Sequence, residues 1–231
     1  FQAEDGIRDC LLSRGLGDVY KRQVVGLNEN SERVIVYWIM GRSANSRNRI
    51  LEYKDNIVST KPKDYTKVED PSLIVYNAMR DIEIYHQSAS YTIITNGSQT
   101  DTIVEQLRHG RNFIESLSGT TFEPDAPNYT PRISALVDQK NHFQISVISR
   151  NHTGNADHKF YSYDNIRPGT GYCVTTYMED GEPLPSFNID PVEVTLRGNI
   201  ALAYWKELNP VNRISLMARV GNKMKIINGA K

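Results

Sequence analysis

Cysteine is nearly absent from this chain, with two thiols, Cys10 and Cys173, in 231 residues. Two cannot build a disulfide-stapled scaffold. With no CxxC pair and no His-plus-Cys cluster there is no zinc signature either, so a reducing cytoplasm is the expected compartment and no metal or redox cofactor is expected. Net charge is also missing: 27 Lys and Arg balance 27 Asp and Glu. That balance argues against general attraction to nucleic acid or an anionic membrane, and any anionic ligand must be held by a local cluster. Long apolar runs are lacking. Stretches such as Val34 to Met40 fall far short of the roughly 18 to 20 residues a membrane-spanning helix needs. Internal repeats, low-complexity tracts and long linkers are not found, which leaves a single domain as the simplest organisation.

The first 23 residues, FQAEDGIRDCLLSRGLGDVYKRQ, have no clean period, and Gly6, Gly15 and Gly17 interrupt their apolar positions. They fit neither a helix nor a strand, and they lack the apolar core and cleavage site of a signal peptide. The string resembles translated read-through of a sequencing-library adapter. Residues 1–23 are therefore expected to be non-native, with a single domain over residues 24–231. Opposite charges leave with the segment in equal number, so the charge argument survives its removal.

From Val24 onward, β-branched and aromatic residues dominate. Strands are expected over Arg33 to Met40, Tyr91 to Thr95, Arg132 to Val137, Phe143 to Ser149, Lys159 to Tyr163, Tyr172 to Met178, Val192 to Leu196 and Arg213 to Val220. RVIVYWIM and FQISVISR are apolar on both parities over part of their length, which predicts strands buried on two faces in a layered architecture. Helical spacing of Ile103, Val104, Leu107, Ile114 and Leu117 predicts one helix over about Thr100 to Leu117, capped by Thr100 or Asp101. A second is expected from about Asn199 to Leu208, stopped by Asn209-Pro210. The fold class is α+β.

Four polar blocks could carry chemistry. GRSANSRNR, Gly41 to Arg49, holds Arg42, Arg47 and Arg49, whose guanidinium forks suit a phosphate. Read alone, it is more often a solvated hairpin loop. In DPSLIVYNAMR, Tyr76 and Asn77 follow an apolar run; a packed amphipathic tyrosine is the ordinary reading, a proton-donating phenol the functional one. TNGSQTD, Thr95 to Asp101, contains Asn96 and joins a strand to a helix N-terminus, which is either an anion site or a capped turn. FEPDAPNYTPR, Phe122 to Arg132, carries Glu123, Asn128 and Arg132 on a loop stiffened by three prolines. Such a loop can be a preorganised site or a connector. The five histidines show no metal-ligand spacing, and Trp38 and Trp205 suit core or interface positions.

In this order and at these separations, the four blocks resemble the IMP cyclohydrolase family of the archaeal type and its bacterial relatives. The resemblance continues through GYCVTTYMEDGEPLPSF, Gly171 to Phe187, and spans nearly all of Val24 to about Arg219. It implies a four-layer αββα sandwich similar to the N-terminal-nucleophile hydrolases, although the chain offers no convincing nucleophile of that kind. It implies closure of 5-formamidoimidazole-4-carboxamide ribotide to IMP, the last step of purine nucleotide synthesis. No cofactor follows from that chemistry, and assembly into homo-oligomers is a further implication.

Residue by residue, the resemblance assigns catalysis to Arg42, Tyr76 and Glu123. Arg47, Arg49 and Arg132 become phosphate or structural groups, and Asn77, Asn96 and Asn128 base or ribose contacts. Relatives begin with a first strand containing Tyr and Gly-Arg, and the adapter-like segment stands in that place. Two other classes remain open: an amidohydrolase with a processed N-terminal nucleophile, and a non-catalytic nucleotide-binding protein.

Overall fold

The computed structural model describes residues 21–68, 71, 74–85 and 88–229. Residues 1–20, together with Asp70, Ser72, Leu73 and His86, lie outside the described residues.

Thirteen strands form two antiparallel sheets among these residues. The first contains β1 (Lys21–Leu27), β2 (Arg33–Met40), β10 (Thr170–Thr175), β11 (Val192–Thr195), β12 (Arg213–Val220) and β13 (Lys223–Asn228), in the order β11-β10-β1-β2-β12-β13. The second runs in chain order through β3 (Arg49–Lys54), β4 (Ile57–Pro62), β5 (Tyr76–Ile84), β6 (Ala89–Thr95), β7 (Arg132–Asp138), β8 (Phe143–Arg150) and β9 (Ala156–Tyr163). Among the described residues, four α-helices, α1 (Ala44–Arg47), α2 (Gln99–Arg108), α3 (Phe113–Ser116) and α4 (Ile200–Glu207), and a 3-10 turn at Tyr65–Lys67 complete the fold.

The double parity of RVIVYWIM has its structural counterpart in β2. Ile35, Tyr37 and Ile39 enter the core between the sheets, where they join Val58, Ala78, Ile94, Ile133 and Val147. Val34, Val36, Trp38 and Met40 point the other way and pack with Ile200, Tyr204 and Leu208 of α4. A third cluster sets Ile93 and Leu136 of the second sheet against Ile103, Val104 and Leu107 of α2 and Phe113 of α3. A strand sandwiched in this way has no solvent face, so it carries no polar alternation.

The long helix expected over Thr100 to Leu117 is two helices. After α2, Gly110 takes φ 83°, the left-handed conformation that ends a helix and that glycine adopts without a Cβ penalty. Asn112 then starts α3 with a capping box, its side chain receiving the Glu115 N–H while the Glu115 carboxylate receives the Asn112 N–H. Neither Thr100 nor Asp101 caps α2. Its N-cap is Ser98, without a side-chain cap hydrogen bond, while Thr100 Oγ1 meets Thr95 Oγ1 at 2.7 Å.

The sequence did not suggest β3 and β4 because they alternate with charged residues. They form a hairpin whose turn residues, Asp55 and Asn56, have φ 52° and 61°, the pair of left-handed positions that a tight hairpin turn demands. The first strand was missed for a different reason: β1 starts at Lys21, inside the segment set aside as adapter-like. Arg22 and Gln23 pair with both β2 and β10, and Lys21 pairs with Ile39 of β2.

Gly26 of β1 faces Gly171 of β10, and a Cβ at Gly26 would collide with the Thr170 carbonyl oxygen and the Gly171 Cα. Because backbone cannot swing aside as a side chain can, Gly26→Ala should cost about 1–3 kcal/mol or more of unfolding free energy. An unchanged urea midpoint would contradict this packing.

Tyrosines close the space between the sheets. Tyr163 of β9 stacks on Tyr172 of β10 with ring centroids 3.7 Å apart. Burial, with Asp190 next in effect for Tyr161 and Tyr172 next for Tyr163, pushes the Tyr161 and Tyr163 phenols up to about 12. The folded chain thus holds protons that the unfolded chain releases near the ordinary value of 10.0. Stability from this source is complete below that value and is lost as pH rises through about 12. Urea midpoints should fall steeply over that interval, with a smaller fall in Tyr161→Phe/Tyr163→Phe.

Candidate functional site

A cleft of ≈ 1050 Å³ lies where β2 runs into the Gly41–Asn48 segment. Its wall takes in the start of β1 at Lys21, the loop from Glu123 to Thr130, and the segment from Thr176 to Leu184. Backbone bonds hold these parts together: Thr176 N–H donates to the Lys21 carbonyl at 3.1 Å, and Glu123 N–H to the Thr130 carbonyl at 2.8 Å.

The deepest part of the site is a chain of four side chains. Glu123 is 6% exposed. Its Oε1 lies 3.3 Å from Lys21 Nζ and 3.7 Å from Arg132 Nη1. Lys21 Nζ also donates to the Asn96 carbonyl at 3.0 Å and sits 5.1 Å from the Tyr76 ring centroid. Tyr76, one side chain behind the cleft lining, has its hydroxyl 2.7 Å from that of Tyr37. Burial, followed by the neighbouring Tyr76, raises the Tyr37 phenol well above its ordinary value, so Tyr37 is a neutral hydroxyl at any physiological pH.

Guanidinium groups occupy the rim. Arg42 Nη2 is 3.0 Å from Asp180 Oδ1, with both side chains about half exposed. Arg49 reaches the same cleft, and its buried Nε has no hydrogen-bond partner among the described residues. Ser43 and Ser46, joined Oγ to Oγ at 2.9 Å around the N-terminus of α1, lie beside them. On the opposite side, the Asp125 carboxylate accepts from Thr130 N–H at 2.6 Å. Asn128 Oδ1 accepts from Leu184 N–H at 3.0 Å, tying the proline-stiffened loop to the segment facing it. The result is a cleft with arginines at its mouth and one buried carboxylate, Glu123, held by Lys21 and Arg132.

A family profile described as IMP cyclohydrolase-like protein matches residues 21–225. The chain belongs to this family. IMP cyclohydrolase of Methanopyrus kandleri is 24% identical over 162 residues, covering 69% of this chain and 74% of that protein. The enzyme of the same name from Methanosphaera stadtmanae is 24% identical over 164 residues with the same coverage. That of Methanocella arvoryzae is 32% identical over 107 residues, covering 45% of this chain and 49% of its own length.

Of the family-derived residues, Arg42, Arg49, Glu123 and Asn128 line the cleft, and Tyr76 stands directly behind it. Others are engaged elsewhere. Arg47 donates to the Gly41 carbonyl and to Asn212. Asn77 turns to the outer face of the second sheet, where its amide donates to the Asp101 carboxylate at 3.0 Å beside Arg80. Asn96 is fully buried; its Oδ1 accepts from Ile133 N–H and Gln99, and its Nδ2 donates to the Pro131 carbonyl. Arg132 braces Glu123 and donates to Gln99 Oε1 at 2.9 Å. It also fills the notch over Gly97, so a Cβ there would collide with its guanidinium.

Sequence reasoning missed Lys21, Tyr37, Ser43 and Ser46. Tyr37 looked like one more apolar strand residue. Only its register opposite Gln23 and its contact across the sheets show its hydroxyl to be placed against Tyr76. Among the described residues, no group of three or more His, Cys, Asp or Glu side chains is gathered for a metal ion, and no helix is long and apolar enough to cross a membrane.

Proposed function

We propose that the chain is an IMP cyclohydrolase that closes 5-formamidoimidazole-4-carboxamide ribotide to IMP with release of water, the reverse sense of a hydrolase acting on a cyclic amidine. The observation carrying this reading is that Glu123 and Arg42 line one cleft of a family member while Tyr76 lies behind Lys21 of its wall. Support for the four-layer αββα arrangement similar to N-terminal-nucleophile hydrolases comes from the three apolar clusters, one between the sheets and one outside each.

The reacting groups belong to one molecule, so orientation supplies much of the acceleration. The carboxamide nitrogen bonds to the formyl carbon and gives up one proton, for which Glu123 is the acceptor. The formyl oxygen takes one proton from Tyr76 on attack and a second from the now protonated Glu123 as it leaves as water, while the former formamide nitrogen returns its own hydrogen to the Tyr76 oxygen. Arg42 stabilises charge developing on that oxygen. Arg49, with Ser43 and Ser46, holds the 5′-phosphate, and Asn128 contacts the base or ribose. Arg47, Asn77, Asn96 and Arg132 support the scaffold.

Purified protein incubated with the formamido ribotide should form IMP, followed by absorbance, well above the enzyme-free rate. A folded protein that binds IMP yet leaves that rate unchanged would instead point to a nucleotide-binding role.

A further inference from the structure

We propose that Tyr37 is a positioning residue that aims the Tyr76 proton into the cleft by donating its own hydroxyl hydrogen to the Tyr76 oxygen. The inference rests on the cyclohydrolase reading for its catalytic consequence, but its geometric content stands by itself.

Two hydroxyls 2.7 Å apart share one hydrogen bond, and either could be the donor. Depth of burial decides between them, because Tyr37 is 0% exposed and Tyr76 6%. Tyr37 is fully buried between the sheets, and Tyr76 is its hydrogen-bond partner among the described residues. Were Tyr37 to accept, its own O–H would be left unpaired in the core, the costly case for a buried donor. When Tyr37 donates, its hydrogen is satisfied and the Tyr76 oxygen becomes the acceptor. The hydrogen of Tyr76 must then point away from Tyr37.

On the cyclohydrolase reading, the side facing away is where the substrate lies. Tyr76 starts β5 with its backbone N–H fixed on Thr60 Oγ1 at 3.1 Å, and Lys21, part of the cleft wall, overlies its ring. The charged groups around the pair are Lys21 from β1, Arg49 from β3 and Glu123 from the loop before β7. A donor hydrogen bond from Tyr37 also steadies negative charge on the Tyr76 oxygen as that phenol gives up its proton. Tyr37 thus acts through Tyr76 and contacts no substrate.

Tyr37→Phe removes one oxygen and tests this directly. The expected result is a kcat lowered by about 10- to 100-fold, a fraction of what a positioned acid contributes, with KM and IMP affinity changed less than about twofold because ground-state binding is untouched. Tyr37→Phe/Tyr76→Phe should be no slower than Tyr76→Phe alone, since a residue acting only through Tyr76 has nothing left to act on. A kcat equal to that of the wild type would overturn the role, as would rate losses that multiply in the double variant or track lost IMP affinity. A wild type unable to form IMP would remove the catalytic role along with the proposed function, an outcome distinct from an active wild type matched by Tyr37→Phe. A neutron structure of the deuterated wild-type protein checks the geometry without turnover or any variant. It should show the Tyr37 deuterium between the two oxygens and the Tyr76 deuterium turned to the cleft; a Tyr76 deuterium directed at Tyr37 would refute the proposal.

Discussion

Glu123→Gln should lower kcat by about 10²- to 10⁴-fold, the usual contribution of a positioned acid or base, while IMP binds within a fewfold of its wild-type affinity. Gln keeps the shape and most hydrogen bonds of Glu123 but cannot accept a proton from the carboxamide nitrogen. Tyr76→Phe should match that loss; Glu123→Gln also costs stability by taking the carboxylate from the Lys21 and Arg132 cations, and Tyr76→Phe has a separate cost. It leaves the Tyr37 hydroxyl buried without its partner, a penalty of about 1–3 kcal/mol. Adding Tyr37→Phe should recover that stability without recovering turnover. Steady-state kinetics, calorimetric IMP titration and urea unfolding on the four proteins separate the two effects. Losses of kcat and IMP affinity in parallel would mean that these residues bind the ground state and would remove them from the chemistry.

The second large effect concerns Lys21. Its ammonium is the nearest cation to a carboxylate whose side chain is only 8% exposed. Lys21→Met should therefore reduce unfolding free energy by about 2–4 kcal/mol, below the cost of a wholly orphaned buried charge because Arg132 remains 3.7 Å away. Turnover should fall with it, since Glu123 and the Tyr76 ring both lose a neighbour that fixes them. Lys21→Arg, which preserves the charge, should stay within about 1 kcal/mol of the parent. Equal urea midpoints for Lys21→Met and the parent would show that the pair contributes nothing to folding.

How much of this was legible beforehand depends on what each signal encodes. Arg33–Met40 and Arg213–Val220 stand as strands at their expected bounds, because β-branched runs buried on both faces leave little ambiguity. Asp55-Asn56 was a turn signal hidden between polar strands, and Gly110 followed by Asn112 was a stop and restart inside what looked like one apolar stripe. The family blocks single out Arg42, Tyr76 and Glu123, yet pairwise spacing could not tell that Asn77, adjacent to Tyr76, faces the opposite side of its sheet. Alternation along β5 enforces that separation. Lys21 was overlooked for a reason outside propensity, since the adapter-like resemblance removed it from consideration. Gln23 in the same strand is buried with neither amide atom bonded among the described residues, a local conflict of the kind a grafted stretch would carry.

Ring closure in the cleft between Lys21, Arg42, Arg49 and Glu123 requires the product to bind there, and a crystal structure of the protein saturated with IMP shows whether it does. The phosphate should lie against Arg49, Ser43 and Ser46, with the six-membered ring near Glu123 and the Tyr76 hydroxyl. IMP seated elsewhere on the molecule, with this cleft left open, would contradict it.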